Sequence, residues 1–342
     1  MAEYPIVRAH GMMTELLPPN VLEGLAVARS LEDLLTLLLP TKYGKYIERG
    51  KAPSISSVKR IIDRVFEERV SVLIKGAPKK VQDFIIVYLS KFDIENIVNI
   101  LKFKKAEIPT SEILEKISKF YFLRFDVEKM LEAKSVEEIL HKIARYTDYK
   151  IPDYVIELYR KYDSILPLEF YLKKKYFDLV FSELRELPRD DRERIEKILR
   201  LEADIENIFS ATAGYLYKYS EEIAKIAFIP YTYKISMYSL KHVLSAKSNK
   251  EVLELLSPYK NVVNLILNRR ETLARIEGYR IIKNRVRKDI VSTFIDIAFI
   301  YYFIILAEME MRDLHFVTIA TQFNVSPKEK IAHLIYATAT SD

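Results

Sequence analysis

The sequence contains no cysteine, and glycine supplies only 7 of its 342 residues. Without cysteine, disulfide bonds, thiolate catalysis and zinc fingers are excluded, and an intracellular location is the expectation. No Gly-x-Gly or Gly-Lys-Ser/Thr motif occurs, which excludes nucleotide binding by a glycine-rich loop. Glycine falls far below its average share of ~7%, while leucine, isoleucine, glutamate, lysine and arginine dominate. This balance predicts a protein that is helical nearly throughout.

The net charge and the histidine positions do not indicate a particular function. The formal net charge is +6 and the pI is about 9.0, which permits an acidic partner or an anionic membrane surface without requiring either. The first 16 residues have no apolar core of signal-peptide length, so no export is predicted. No two histidines stand three or four residues apart, so we predict no metal site, no cofactor and no catalytic centre; they lie at His10, His141, His242, His315 and His333.

A short acidic stretch occurs three times in the chain. It reads Asp93-Ile94-Glu95-Asn96-Ile97 in the first copy, Asp204-Ile205-Glu206-Asn207-Ile208 in the second and Glu310-Met311-Arg312-Asp313-Leu314 in the third. The aliphatic residues of each stretch are three apart and share one helix face. This recurrence suggests an internal repeat.

A serine and a glutamate recur at similar distances from each acidic stretch. A serine that opens an apolar run precedes each copy by 63, 69 and 62 residues, and a glutamate follows each copy by 19, 17 and 19 residues. Each serine, with an acidic residue three positions later, predicts a helix N-terminus closed by a capping box. The recurring serines are Ser30, Ser135 and Ser248, and the recurring glutamates are Glu112, Glu221 and Glu329.

The sequence therefore predicts an all-α fold of three diverged helical repeats, each about 110 residues long. The predicted domains are residues 1–125, 126–236 and 237–342. Prolines mark the loops, and no linker is rich in glycine, serine or proline, so we expect the three domains to pack together.

Polar residues recur inside the predicted helices at equivalent positions. Aspartate and asparagine are poor helix formers, so their return suggests side-chain hydrogen bonds to a loop or to the adjacent repeat. Direct contact with a partner is the alternative interpretation. The six positions are Asp93, Asn96, Asp204, Asn207, Glu310 and Asp313.

Two predictions concern particular helices. One helix is expected from Lys79 to about Lys104, carrying the first acidic stretch in its second half. Residues 290–307 contain a single charge, Asp296, and approach the length of a membrane span. Because the equivalent helices of the other copies carry several charges, we interpret this segment as a fully buried core helix.

A basic run near the C-terminus could bind an acidic molecule. Its charges are spread around a predicted helix, and the 23 tyrosines do not cluster beside it as a stacking surface. A solvated helix face, contact with an acidic protein partner and nucleic-acid binding stay open as interpretations. The run comprises Arg280, Lys283, Arg285, Arg287 and Lys288.

Three short segments and the triple repeat suggest a family. Residues 4–11 (Tyr-Pro-Ile-Val-Arg-Ala-His-Gly), 39–43 (Leu-Pro-Thr-Lys-Tyr) and 91–97 (Lys-Phe-Asp-Ile-Glu-Asn-Ile) together resemble the C subunit of the archaeal A-type ATP synthase. The eukaryotic counterpart of that protein is the d subunit of the vacuolar-type ATPase. In the third copy, Asp313 replaces the asparagine expected from the family pattern.

The resemblance implies a helical funnel of three similar domains around a pseudo-threefold axis. It implies a non-catalytic rotor subunit that couples the central stalk of a proton-translocating ATP synthase to the membrane proteolipid ring. The protein would lie peripherally at the cytoplasmic face of the cell membrane, with stalk subunits and the ring as partners, without nucleic acid and without forming a homo-oligomer. A helical-repeat scaffold for another protein, or a nucleic-acid-binding protein, are the alternative functions.

Overall fold

The computed structural model describes residues 3–48, 50–114, 117–124, 126–292 and 295–336. Over these residues the chain is entirely helical apart from turns and loops, which confirms the all-α prediction. Two short 3-10 helices, Lys42–Tyr46 and Ser257–Tyr259, accompany the α-helices. The α-helices are α1 (Glu3–Met13), α2 (Pro19–Ala26), α3 (Leu31–Leu38), α4 (Ile55–Gly76), α5 (Lys79–Leu89), α6 (Lys91–Lys105), α7 (Thr110–Leu114), α8 (Val127–Leu131), α9 (Val136–Tyr146), α10 (Asp153–Tyr162), α11 (Leu166–Leu184), α12 (Arg189–Tyr217), α13 (Glu221–Ile226), α14 (Met237–Val243), α15 (Asn249–Leu255), α16 (Lys260–Leu267), α17 (Glu271–Ile290), α18 (Ile297–Gln322) and α19 (Pro327–Ala332).

The contacts between residues divide the chain into two compact units. The first unit combines residues 1–82 with residues 275–342, and the second unit comprises residues 83–274. The division into three domains and the funnel implied by the resemblance stay predictions.

The core of the first unit is α18. Every residue from Ala298 to Met311 is buried, because α1, α2, α3, α4 and α19 all pack against this helix. A helix enclosed on all sides is apolar around its whole circumference, and this explains the hydrophobic segment seen in the sequence. Within the described residues, no helix combines the length and apolarity needed to cross a membrane.

In the second unit, two long helices carry the other acidic stretches. Helix α6 packs against α8, α9 and α11, and helix α12 packs against α11, α14 and α16. Helix α6 is thus packed among helices that come later in the chain, and α12 is packed against one earlier helix and two later ones. Their acidic stretches are buried as a result.

Two predicted helix boundaries are wrong. The helix expected from Lys79 to Lys104 is interrupted at Ser90, whose hydroxyl donates to the carbonyl of Val87 at 2.7 Å, so α5 ends at Leu89 and α6 begins at Lys91. The core helix expected from residue 290 begins only at Ile297. Before it, α17 ends in a turn where the Ser292 hydroxyl donates to the Asp289 carbonyl, and residues 293 and 294 lie outside the described ones.

The three long acidic helices end in the same way. Each has a residue with left-handed backbone geometry 14 positions after the first acidic residue of its stretch. The next backbone N–H then donates to the carbonyl five residues earlier, as in a Schellman motif. These end residues are Glu107, Lys218 and Asn324.

The predicted serine caps are present in all three copies. Each serine hydroxyl accepts from the backbone N–H three residues later, in Asp33, Glu138 and Glu251. The acidic side chain of that residue accepts from the backbone N–H of the residue before the serine, one position earlier than in a standard capping box. Two otherwise unpaired backbone donors are satisfied at each helix start.

Replacing Ser248 with alanine is expected to lower the free energy of unfolding by about 1 kcal/mol, because the amide of Glu251 loses its acceptor. Urea denaturation followed by circular dichroism measures this. Ser182→Ala is the control, since Ser182 is exposed in helix α11 and caps nothing. Equal effects of both substitutions would contradict a capping role.

Candidate functional site: three buried carboxylate clusters

The first cluster surrounds Asp93 on α6. Its buried carboxylate accepts the backbone N–H of Arg124, at 3.2 Å to each oxygen, and the hydroxyl of Tyr149 at 2.9 Å. Arg124 lies just before α8, and Tyr149 lies just after α9. The carboxylate therefore fixes both ends of the α8–α9 segment against α6.

The second cluster repeats this arrangement around Asp204 on α12. The carboxylate accepts the backbone N–H groups of Tyr233 at 3.0 Å and Lys234 at 2.7 Å. The Tyr259 hydroxyl donates to the same carboxylate at 2.7 Å. Here the segment that contains α14 and α15 is held against α12.

The third cluster joins the two ends of the chain. Glu310 on α18 accepts the backbone N–H of Leu17 and the hydroxyl of Tyr43 at 2.6 Å. In addition, Arg69 on α4 forms a fully buried ion pair with Glu310 at 2.7 Å and donates to the carbonyl of Glu15 at 3.1 Å. The segment with α2 and α3 is thereby tied to α18, about 300 residues later in the chain.

Each cluster pairs an acidic residue of one predicted domain with a tyrosine of another. The tyrosine that donates to an acidic residue comes from the next predicted domain, and for Glu310 it comes from the first one. These three tyrosines were not predicted from the sequence, although each follows its capping serine by a regular 11 to 14 residues. Arg69 was not predicted either, and the repeat offers no equivalent signal for it. The tyrosines are Tyr43, Tyr149 and Tyr259.

The asparagine three residues after the acid makes a two-point contact. Asn96 donates to the carbonyl of Ser118 at 2.7 Å and accepts from its N–H at 3.1 Å. Asn207 makes the same pair of bonds to Ile229, at 2.9 and 2.8 Å. In both copies the bonded residue follows the asparagine by 22 positions. An amide side chain suits this role because it carries one donor group and one acceptor.

In the third copy, two charged side chains replace the amide. Asp313 accepts the N–H of Ile335 at 2.7 Å, again 22 positions later, and the N–H of Tyr336 at 2.9 Å. A carboxylate cannot donate to the carbonyl of Ile335, and the buried ammonium of Lys283 does so at 2.6 Å. The departure from the expected asparagine is therefore accompanied by a lysine that supplies the missing donor.

The other members of the basic run have different surroundings. Arg280 donates to the carbonyls of Ala332 and Leu334, at the end of α19. Arg285 forms an ion pair with Asp289 at 2.7 Å along its own helix. Arg287 and Lys288 are exposed, and Arg287 lies over the ring of Tyr336 at 5.0 Å. The interpretation of partner contact thus rests on these last two residues.

Burial changes the acid–base properties of the clusters. It raises the pKa of Asp93 to about 7, although hydrogen bonds from Tyr149 and Arg124 act in the opposite direction. Burial also raises the pKa of Asp204. The partner tyrosines have a raised pKa for the same reason, and they remain hydroxyl donors at any ordinary pH.

The raised pKa of Asp93 predicts a pH-dependent stability. An unfolded aspartate has a pKa of about 3.9, so between about pH 4 and 7 the folded protein binds the proton more tightly than the unfolded chain. The contribution of Asp93 is therefore full below about pH 4 and is lost as pH rises through 7. Relative to Asp93→Asn, the unfolding free energy should fall by up to about 1.4 kcal/mol per pH unit in this window.

Denaturation of both proteins at several pH values measures this slope. Asp126→Asn is the control, because backbone hydrogen bonds at the start of α8 lower the pKa of Asp126. Relative to that variant, the wild-type protein should gain stability only as pH rises to about 4, and the difference should stay constant between about pH 4 and 7. A difference between wild type and Asp93→Asn that does not change with pH would show that Asp93 stays ionised.

The clusters hold helices together through hydrogen bonds and one buried ion pair. Among the residues that the structure describes, no three histidine, aspartate or glutamate side chains are grouped to bind a metal ion. Every acidic group of the three clusters accepts hydrogen bonds from its own unit. Fold and clusters define an all-helical protein whose recurring polar positions serve internal packing.

Comparison with known proteins identifies the family. The model of the ATP synthase (C/AC39) subunit family matches residues 5–333, and the chain belongs to this family. The resemblance noted from the sequence is confirmed at this level.

Several curated relatives are named as the C subunit of an A-type ATP synthase. The one from Thermococcus kodakarensis is 26% identical over 227 residues, which cover 66% of this chain and 60% of the relative. The one from Pyrococcus furiosus is 32% identical over 149 residues, covering 44% and 39% respectively. The one from Thermococcus onnurineus is 27% identical over 239 residues, covering 66% and 60%. The matched part of the chain thus spans at most about three fifths of these relatives.

Proposed function

We propose that this protein is a non-catalytic subunit of an A-type rotary ATP synthase, and that it couples the rotating central stalk to the membrane proteolipid ring. The family match over residues 5–333 is the observation that carries this proposal. The relatives named as the C subunit of an A-type ATP synthase support it.

The internal bonding suits a part that transmits torque. A transmitting body must resist shear between its helices, and both units have buried charged or polar ties between helices far apart in sequence. In the first unit, Glu310 joins the N-terminal segment, α4 and α18. In the second unit, Asp93 and Asp204 hold later segments of the chain. Such ties stop helices sliding past one another because each displaced donor would remain buried and unpaired.

We further propose stalk subunits and the proteolipid ring as partners, with the protein lying peripherally at the cytoplasmic face of the membrane. The three predicted domains would present similar surfaces around an axis, which suits a protein seated on a ring. Nucleic-acid binding by the basic run is less favoured, because Arg280 and Lys283 are engaged by backbone carbonyls.

Capture of the protein from membranes tests the proposed function. Membranes from cells that produce it are solubilised in mild detergent, and the tagged protein is recovered and assayed for ATP hydrolysis and co-purifying subunits. We expect ATPase activity together with stalk and proteolipid subunits. The same tag on an unrelated protein is the control. Recovery of the protein without ATPase subunits would favour a scaffold with another partner and would contradict the rotor role.

A further inference from the structure

The helices of the first unit bring several chain segments to one end of α18. Helix α4 runs antiparallel to α18, since Asp63 pairs with His315 at 2.8 Å and Arg69 pairs with Glu310 one to two turns away. The last residue of α4, Gly76, therefore lies towards the start of α18.

Helices α1 and α17 reach the same end. The ring of His10 stacks on that of Phe299 in the first turn of α18, with centroids 3.8 Å apart. Helix α17 runs antiparallel to α18, because Tyr279 lies under Arg312 while the later Arg287 lies over Tyr336. Tyr336 in turn donates to the carbonyl of Leu306, closer to the start of α18. The end of α17 thus approaches the start of α18.

Apolar side chains are exposed at this end. Ile295 is 85% exposed, and the exposed fractions of Val7 and Val291 are 66% and 65%. Tyr4 is 61% exposed while its ring lies against Gly76, so its position relative to α4 is fixed. Exposed branched aliphatic side chains grouped at one end indicate a contact surface.

Cations accompany these apolar side chains. They lie in α1, at the junction of α4 and α5, and at the end of α17. The carboxylates at this end are fewer, namely Glu3, Asp289 and Asp296, together with Asp83 one turn after Lys79 on α5. Asp289 is bonded to Arg285. The cations are Arg8, Lys75, Lys79, Lys80, Arg287 and Lys288, all of them exposed. Together with the four apolar side chains they form what we call the start surface.

The other end of α18 has a different charge. Phe323 is exposed there, but carboxylates from neighbouring elements surround that end. The Lys330 ammonium bonds both the carbonyl of Ala28 and the hydroxyl of Thr321, which brings the acidic start of α3 and the glutamate of α19 to this end. Exposed cations lie there as well, but they do not outnumber the exposed carboxylates as they do at the start surface; these cations are Arg29, Arg60 and Lys328.

We propose that the start surface docks on the headgroup region of an anionic membrane. Exposed cations attract acidic headgroups, and aliphatic and tyrosine side chains among them enter the boundary between headgroups and acyl chains. An acidic protein surface would also attract the cations, but aliphatic side chains that project among cations are the pattern of a protein held at a membrane interface. The inference rests on the proposed function, for which it names the surface that faces the lipid.

Binding of the intact chain to vesicles tests the proposal. The protein is sedimented with vesicles of phosphatidylcholine alone, or of phosphatidylcholine mixed with phosphatidylglycerol. We expect binding to the anionic vesicles only, and we expect it to weaken as salt is raised. Equal binding to both kinds of vesicle, or none to either, would overturn the proposal.

Charge reversal locates the surface. In Arg287→Glu/Lys288→Glu, anionic-vesicle binding should fall by about 30-fold or more, because each lost cation near an acidic surface is worth about fivefold. The matched control is Arg60→Glu/Lys328→Glu, an equal charge change towards the other end of α18. The ends of this 26-residue helix are about 39 Å apart, several Debye lengths. Equal losses in both variants would mean attraction by net charge alone and would contradict docking.

A second pair of variants tests the apolar contribution. Ile295→Ser should weaken binding by about tenfold, whereas Phe323→Ser at the other end should leave it unchanged.

Failure of the membrane proposal can be distinguished from failure of the proposed function. Vesicle binding without recovery of ATPase subunits would contradict the proposed function alone. If vesicles are not bound but Arg287→Glu/Lys288→Glu abolishes ATPase recovery, the surface binds an acidic protein and the membrane proposal is wrong.

Discussion

Replacing Arg69 with methionine is expected to destabilise the first unit by about 3–5 kcal/mol. The substitution leaves the carboxylate of Glu310 buried in the core without its cation. The two remaining donors, from Leu17 and Tyr43, cannot replace a full positive charge. Breaking a buried ion pair costs more than the pair itself contributes, because the partner stays charged and desolvated.

Urea denaturation and hydrogen exchange of the α18 amides measure the effect. Lys45→Met is the matched control, since Lys45 pairs with Glu68 in the same unit but is well exposed, and an exposed pair is worth only about 0–1 kcal/mol. The double variant Arg69→Met/Glu310→Gln should recover part of the loss, as a neutral amide can still accept from Leu17 and Tyr43. If Arg69→Met costs no more than Lys45→Met, Glu310 does not depend on its ion pair.

Local features of the fold follow from the sequence. The serine caps depend on residues three apart, and the polar positions of the acidic stretch depend on helix periodicity, so both are visible in a short window. The internal repeat reinforces them, because three copies of a weak pattern agree. The repeat also indicates that the apolar segment is a core helix, although that helix begins seven residues later than the apolar pattern predicts.

The hydrogen-bond partners of the buried side chains could not be predicted from local sequence patterns. Tyr149 lies 56 residues from Asp93, and Tyr43 lies 267 residues from Glu310, so no local pattern connects them. The helix break at Ser90 depends on a side-chain bond that competes with regular helical geometry. Such outcomes are decided by tertiary packing.

The surroundings of the basic run also could not be predicted from the sequence. In the sequence, five cations within nine residues indicate a surface for an anion. In the folded unit, Lys283 lies in the interior because Ile335, 52 residues later, presents a carbonyl that has no other side-chain donor in its cluster. Only the structure distinguishes a cation that binds a backbone group from one that is exposed.

Asp313 and Lys283 are expected to behave as one functional replacement for asparagine. Asp313→Asn removes one of the two carboxylates whose charge favours the buried ammonium of Lys283, the other being Glu277. Lys283→Met leaves the carbonyl of Ile335 without a donor. Each single substitution should cost about 2–4 kcal/mol. In Asp313→Asn/Lys283→Met, the new amide can accept from the N–H of Ile335 and donate to its carbonyl, as Asn207 does with Ile229.

A double-mutant cycle on the free energy of unfolding measures this coupling. The double variant should be more stable than the sum of the single losses predicts, by about 2 kcal/mol. Asn207→Asp is the reciprocal test, because it removes the donor to Ile229 where no lysine takes its place, and it should cost about 2 kcal/mol. Additive effects of Asp313→Asn and Lys283→Met would mean that the two side chains act separately. In that case the missing asparagine of the third copy would be a simple loss of a bond, without a compensating charge pair.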